Sequence, residues 1–174
     1  MEPHARGSIL VAAVFEAFAT INGLRASKLI RLATSGTGVL PAGALPALLV
    51  DELAVEAAKT ADHFLGMCIR ALDYCPPVGL TFGDYLRALI TADRDLVPED
   101  PIGYRIALID AFRKRGIYAP GVTNLSEEKL AWPSGRDFDD YDAEWLVRHL
   151  RRETDWLRYE GNRQELHHKT QAAA

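Results

Sequence analysis

This sequence predicts an all-α domain, and three observations carry that expectation. Apolar residues recur at intervals of three and four over most of the chain, helix start and stop residues fall at the ends of those runs, and no period-two run extends past a few residues. The arrangement expected is a bundle of about five main helices followed by a C-terminal helical appendage.

The first element is residues 8–21, SILVAAVFEAFATI, which carry one charge, Glu16, and are apolar almost all round. A helix of that kind belongs in the centre of a bundle. Asn22 and Gly23 are expected to break it, and a second, shorter helix follows over 24–33, with Arg25, Lys28 and Arg31 as a basic edge. Residues 35–46 hold three Gly and two Pro and read as a loop. The longest periodic run spans 47–74 and stops at Pro76 and Pro77, because proline lacks a donor and restricts the residue before it. Thr81, with Asp84 three residues later, resembles a capping box and opens a helix through Leu96. Asp100 as N-cap with Pro101 at the first helical position predicts the next, which Gly116 stops after Arg113, Lys114 and Arg115, three cations that complement the helix dipole. Beyond Ile117 the composition turns polar. A short helix at 126–130, then a helix over 141–158 with a charged face, make residues 118–174 an appendage on the domain formed by residues 1–117; its last residues have nothing to hold them and are expected to fray.

Composition narrows the function classes. With 174 residues, 48% hydrophobic and 25% charged, the chain is long enough to bury one substantial core. Its net charge of −4 gives no basic field for nucleic acid. No run reaches the roughly 18 apolar residues of a membrane span, and no basic, apolar and small-residue series marks a signal peptide. The expectation is therefore a cytoplasmic setting by default, with neither membrane nor nucleic acid as partner. Cys68 and Cys75 lie two helical turns apart, about 10 Å along the axis, so they are expected reduced.

Two tracts resemble the helical C-terminal domain of the thermolysin-like zinc metallopeptidases, the gluzincins, in a distant bacterial branch. The first is His4-Ala5-Arg6-Gly7-Ser8-Ile9 running into the apolar helix, although the family has Asn-Ser-Gly where this chain has Arg6-Gly7-Ser8. The second combines Arg70-Ala71-Leu72, the Pro76-Pro77 turn, Phe82 and Asp95-Leu96, followed by Ala111-Phe112 and Gly116-Ile117. Together they cover residues 3–117; residues 118–174 have no counterpart. The resemblance implies a helical subdomain forming one wall of a substrate cleft. It implies His4 as the histidine that hydrogen-bonds the oxyanion of the tetrahedral intermediate, and Arg6 as a second electrophilic contact beside it. Against this stand a surface side chain for His4 and an exposed structural role for Arg6.

Independent chemistry finds little support. The family's His-Glu-x-x-His is absent, so zinc is expected in a full-length relative and no cofactor in this chain. The five histidines are His4, His63, His149, His167 and His168. His149 and Glu153 read as a solvated helix face, and His167-His168 as at most an adventitious metal contact. Gly36-Thr37-Gly38 lacks the strand, helix and Lys of a phosphate loop. Asp93, Asp95, Glu99 and Asp100 lack calcium-loop spacing, and Asp93 and Asp95 project about 200° apart, so capping and solvation are expected of them. Two functions stay open: the non-catalytic wall of a thermolysin-like peptidase, or a free-standing helical protein-interaction module. The partners expected are a missing N-terminal catalytic domain or a homo-oligomer through the N-terminal helix, with a peptide as substrate of the whole enzyme.

Overall fold

The structure is a computed structural model that describes residues 2–133, 140–154, 165 and 168. The protein is all helical, with α1 (Pro3–Ala33), α2 (Ala47–Ala71), α3 (Phe82–Leu96), α4 (Tyr104–Arg113), α5 (Glu127–Leu130) and α6 (Asp140–Thr154). Among the described residues there is no strand. The expected extension of the last helix to residue 158, His167 and the terminal residues 171–174 lie outside the described residues.

The compact unit comprises residues 1–75 and 81–131. Within it α1 packs against both α2 and α4, and α3 lies against α2, α4 and α5. The core runs from Ala13, Ala17 and Ile21 on α1 through Phe64 and Met67 on α2 to Leu86, Leu89 and Ile90 on α3 and Leu108 and Phe112 on α4. Small residues at Ala13 and Ala17 let α1 approach its neighbours closely, while Lys114 and Arg115 both pair with Glu16 at 2.7 and 2.6 Å and tie the end of α4 to it. The basic run after α4 thus holds a neighbouring helix besides offsetting a dipole. The polar stretch after Ile117 is built into the same unit: Ala119 and Leu130 are buried, and the Leu130 carbonyl accepts from Arg87 Nε at 3.0 Å. Tyr118 and Ala119 cross over Gly83 so closely that a Cβ there would lie 2.2 Å from the Tyr118 carbonyl oxygen.

Local signals fared unevenly. Glu2 caps α1 through the Ala5 amide, with Pro3 in the first turn. The capping box at Thr81 and Asp84 is formed in both directions, and α2 ends in a 3-10 turn, Leu72–Tyr74, ahead of the two prolines. The expected break at Asn22-Gly23 is absent, and α1 is one helix of 31 residues. An interior glycine costs only about 1 kcal/mol, whereas breaking there would detach buried Ile21 from the turn in which Arg25 pairs with Glu56. Made continuous, α1 becomes long and apolar enough to span a membrane by length and composition, with mean hydropathy 1.6 over its most apolar window, of which 17% is buried. It packs on α2 and α4, but only Ala13, Ala17 and Ile21 of its residues are buried, so it does not take the central position in the bundle that its composition led us to expect. At α4 the start is three residues later than expected. Pro101 precedes the helix, Gly103 takes a left-handed conformation (φ 91°), and Asp100 reaches forward to accept from the amides of Gly103, Tyr104 and Arg105.

The second unit contains α6. Its Trp145 ring stacks on His149 with centroids 5.0 Å apart, and Leu146, Val147 and Leu150 are exposed.

Candidate functional site

Two features of the compact unit have the makings of a site, and they lie on opposite flanks of α2. The first is apolar. α1 turns Val11 and Phe15 outward, 67% and 64% exposed, and α2 does the same with Leu65 and Ile69. Between them runs an open groove of about 480 Å³ whose floor is Val14, Phe18, Phe64 and Cys68, closed at one side by Tyr85 of α3. A volume in that range suits a small ligand or the side chains of a partner segment. Tyr85 donates to the Cys68 carbonyl at 3.2 Å, so its hydroxyl is spent within the fold. Burial, together with the neighbouring Cys68, raises the Tyr85 pKa, and burial raises that of Cys68. The groove therefore offers neither an anion nor a nucleophilic thiolate at neutral pH.

Packing inside the groove is aromatic. Phe15 meets Phe18 at 5.7 Å, Phe18 meets Phe64 edge-on at 6.0 Å, and Phe64 meets Tyr104 of α4 at 5.3 Å. Tyr104 stacks in turn on His63, centroids 4.0 Å apart, and there the second feature begins.

That feature is a chain of charges. His63 Nε2 lies 2.7 Å from Oδ1 of Asp93, and Oδ2 of Asp93 accepts from Arg105 Nη1 at 2.7 Å. Arg105 also donates to the carbonyls of Val97 and Pro98 at 2.9 and 3.1 Å. Its Nε sits 2.8 Å from Glu127 Oε1, an ion-pair contact without the alignment of a hydrogen bond. Burial works against the Arg105 charge, and the attraction of the Glu127 and Asp93 carboxylates outweighs it, so its pKa is raised. Both Asp93 and Arg105 are buried, 1% and 3% exposed. Asp93 was expected to be a solvated capping residue. Instead α4 folds back over the last turn of α3, and Arg105 satisfies carbonyls there that the helix leaves without partners. The two residues also cancel a shared fault: an acid near the C-terminus of α3 and a base in the first turn of α4 each oppose the helix dipole.

Because the carboxylate facing Arg105 is an acceptor, the 2.7 Å contact requires that His63 Nε2 carry a proton and donate it to Asp93. The His63 side chain is 24% exposed. An imidazole anchored in this way could ligate a metal through its other ring nitrogen. Among the described residues, however, no group of three His, Cys, Asp or Glu could hold a metal ion. Beside it Arg25, Glu56 and Lys59 form a second cluster, Arg25 donating to Glu56 at 2.8 Å and to the Tyr104 hydroxyl at 3.3 Å.

Neither resemblance-derived residue belongs to these features. His4 stands in the first turn of α1 with its side chain 96% exposed and Glu2 at 3.9 Å. Arg6 is exposed two residues on, which on a helix turns it about 200° away from His4, so the structure does not bring the pair together. Asp95 takes the Tyr74 hydroxyl as a donor, and Asp100 caps α4. Sequence reasoning missed His63, Asp93 and Arg105 as a unit. The signal that could have found them is the pair of charges placed against their helix dipoles, since such charges need partners.

No family model matches the chain, and neither does any curated protein or solved structure.

Proposed function

We propose that these residues are the helical, non-catalytic part of a thermolysin-like zinc metallopeptidase and supply one wall of its substrate cleft. The observation that carries this reading is the uncovered apolar groove between α1 and α2, a surface of the kind that a neighbouring domain or a bound segment covers. The zinc ligands would come from the partner domain, because the His-Glu-x-x-His motif is not in this sequence. His4 lies within about 20° of Val11 and Phe15 around the α1 axis, so a domain seated along that side would meet its imidazole, a hydrogen-bond donor suited to a developing oxyanion.

A free-standing interaction module is the second reading. It is favoured by the polar chain, in which Asp93 and Arg105 spend their bonding capacity inside the fold and hold helices together.

The test is the native polypeptide in its source cells. The peptidase reading predicts an intact mass well above 19.2 kDa, a His-Glu-x-x-His segment, and a His4→Ala variant that loses kcat with KM little changed. A native mass of 19.2 kDa, or peptide hydrolysis by these residues alone with zinc, would overturn it.

A further inference from the structure

A separate surface lies at the other end of the paired helices α1 and α2, away from the groove. On α1 the groove ends at Phe18, and Leu32 stands about 21 Å farther along the axis. Residues 32–50 are the longest stretch of the sequence without a charge, nineteen in a row. A stretch of that composition belongs in a core, yet here it closes the turn between two helices, and Leu49 is its one buried residue. Leu32, Val39 and Leu48 are 81%, 73% and 72% exposed, and Leu45 and Val50 are exposed beside them. Among the described residues, none between Ile21 and Phe64 belongs to the apolar core, so the outer part of this hairpin extends past that core.

The threonine hydroxyls of the turn are satisfied within it. Thr34 Oγ1 donates to the Ile30 carbonyl at 2.7 Å and accepts from the Gly38 amide at 2.8 Å, and Thr37 Oγ1 donates to the Thr34 carbonyl at 3.0 Å. The Gly36 amide donates to the Arg31 carbonyl at 2.7 Å, and Pro41 and Pro46 have no amide to satisfy. Hydrocarbon is thus left outermost. Behind it stand two cations on α1, Lys28 and Arg31, and two anions on α2, Asp51 and Glu52, a collar without net charge. Farther back, Arg25 and Lys59 share Glu56.

We infer that this turn docks on a lipid bilayer, with Leu32, Val39, Leu45 and Leu48 below the headgroups and the four-charge collar among them. Side-chain direction favours a bilayer over a protein partner. Leu48 and Val50 leave α2 about 160° apart, and a partner covers one side of a projecting turn whereas a fluid surrounds it. The depth also fits. The four collar residues lie about 3–8 Å from the ends of their helices, within the roughly 5–10 Å to which interfacial elements enter the headgroup and acyl boundary. Water reaches that level, so the remaining loop amides and carbonyls keep partners there and the insertion stays shallow. A balanced collar complements zwitterionic headgroups, which present both signs, and gains little from anionic ones. The expectation of no membrane partner rested on the lack of a spanning run, and a docked turn needs none.

Flotation of the whole chain with phosphatidylcholine vesicles tests this. The unaltered protein should rise with the vesicles, and replacing part of the lipid by phosphatidylglycerol should change the bound fraction by less than about twofold. The double variant Val39→Asp, Leu48→Asp should partition at least about tenfold more weakly, while Ile106→Asp, at a comparably exposed apolar position on α4, should partition as the parent does. Both variants should keep the parent's melting temperature, because the replaced side chains are exposed. No flotation of the unaltered protein, equal partition of the two variants, or binding that requires phosphatidylglycerol would overturn the proposal. So would a double variant that changes oligomeric state in sedimentation equilibrium without vesicles, which would make a second copy the occupant. The native-mass test of the peptidase reading is independent of these outcomes.

Discussion

Asp93 is the residue on which the interior depends most. Its carboxylate is the buried counter-charge to Arg105 and also the acceptor for His63, and it links α2, α3 and α4. Removing one partner of a buried ion pair strands the other charge. Asp93→Ala is therefore expected to cost about 3–5 kcal/mol in urea unfolding, while His63→Ala, which leaves the Asp93–Arg105 pair intact, costs about 1.5–3 kcal/mol for its one hydrogen bond to a charged group. Equal losses for the two variants would contradict this ranking. Glu16 governs a different behaviour. Hydrogen bonds from Lys114 and Arg115 hold its carboxyl below the usual 4.5. A depressed folded-state pKa means the unfolded chain binds more protons, so the stability from this group is present above pH 4.5 and is lost as pH falls through the folded value. Glu16→Gln should flatten that acid limb of the stability profile, and an unchanged limb would remove Glu16 from the account.

Among elements, those that carried chemical start and stop signals were legible from sequence. Thr81, Asp84 and the Pro76-Pro77 stop placed α2 and α3 correctly because each signal acts through one or two local bonds. Thr81→Ala should cost about 1 kcal/mol in thermal or urea unfolding. The continuity of α1 was not legible, since Asn22 and Gly23 are locally unfavourable and tertiary packing overrides them. Nor was the start of α4, where Asp100 caps across a turn three residues long. The same gap hid the polar chain: His63, Asp93 and Arg105 are 30 and 12 residues apart, and only the return of α4 over α3 joins them. Gly83 is a crossing rather than a flexible joint. Gly83→Ala would push a methyl group into the backbone of Tyr118 and Ala119, and it should lower the melting temperature markedly more than Gly66→Ala, at a position where the space is open.

The compact unit of residues 1–75 and 81–131 combines a closed polar interior with an open apolar flank. Buried charges are paired on the α3–α4 side, while Val11, Phe15, Leu65, Ile69 and Leu72 remain 59–67% exposed along α1 and α2. An exposed apolar strip of that length marks a surface that a partner or a membrane covers. Of the groove only the apolar character of the first helix was legible in the sequence, because exposure depends on where α2 and α4 settle against it. The measurement that tests this most directly is carbene footprinting of those five side chains, in the isolated chain and in the native assembly taken from source cells. The account predicts strong labelling in the isolated chain and protection by at least several-fold in the native assembly. Equal labelling in both would show that nothing covers the face and would contradict the account.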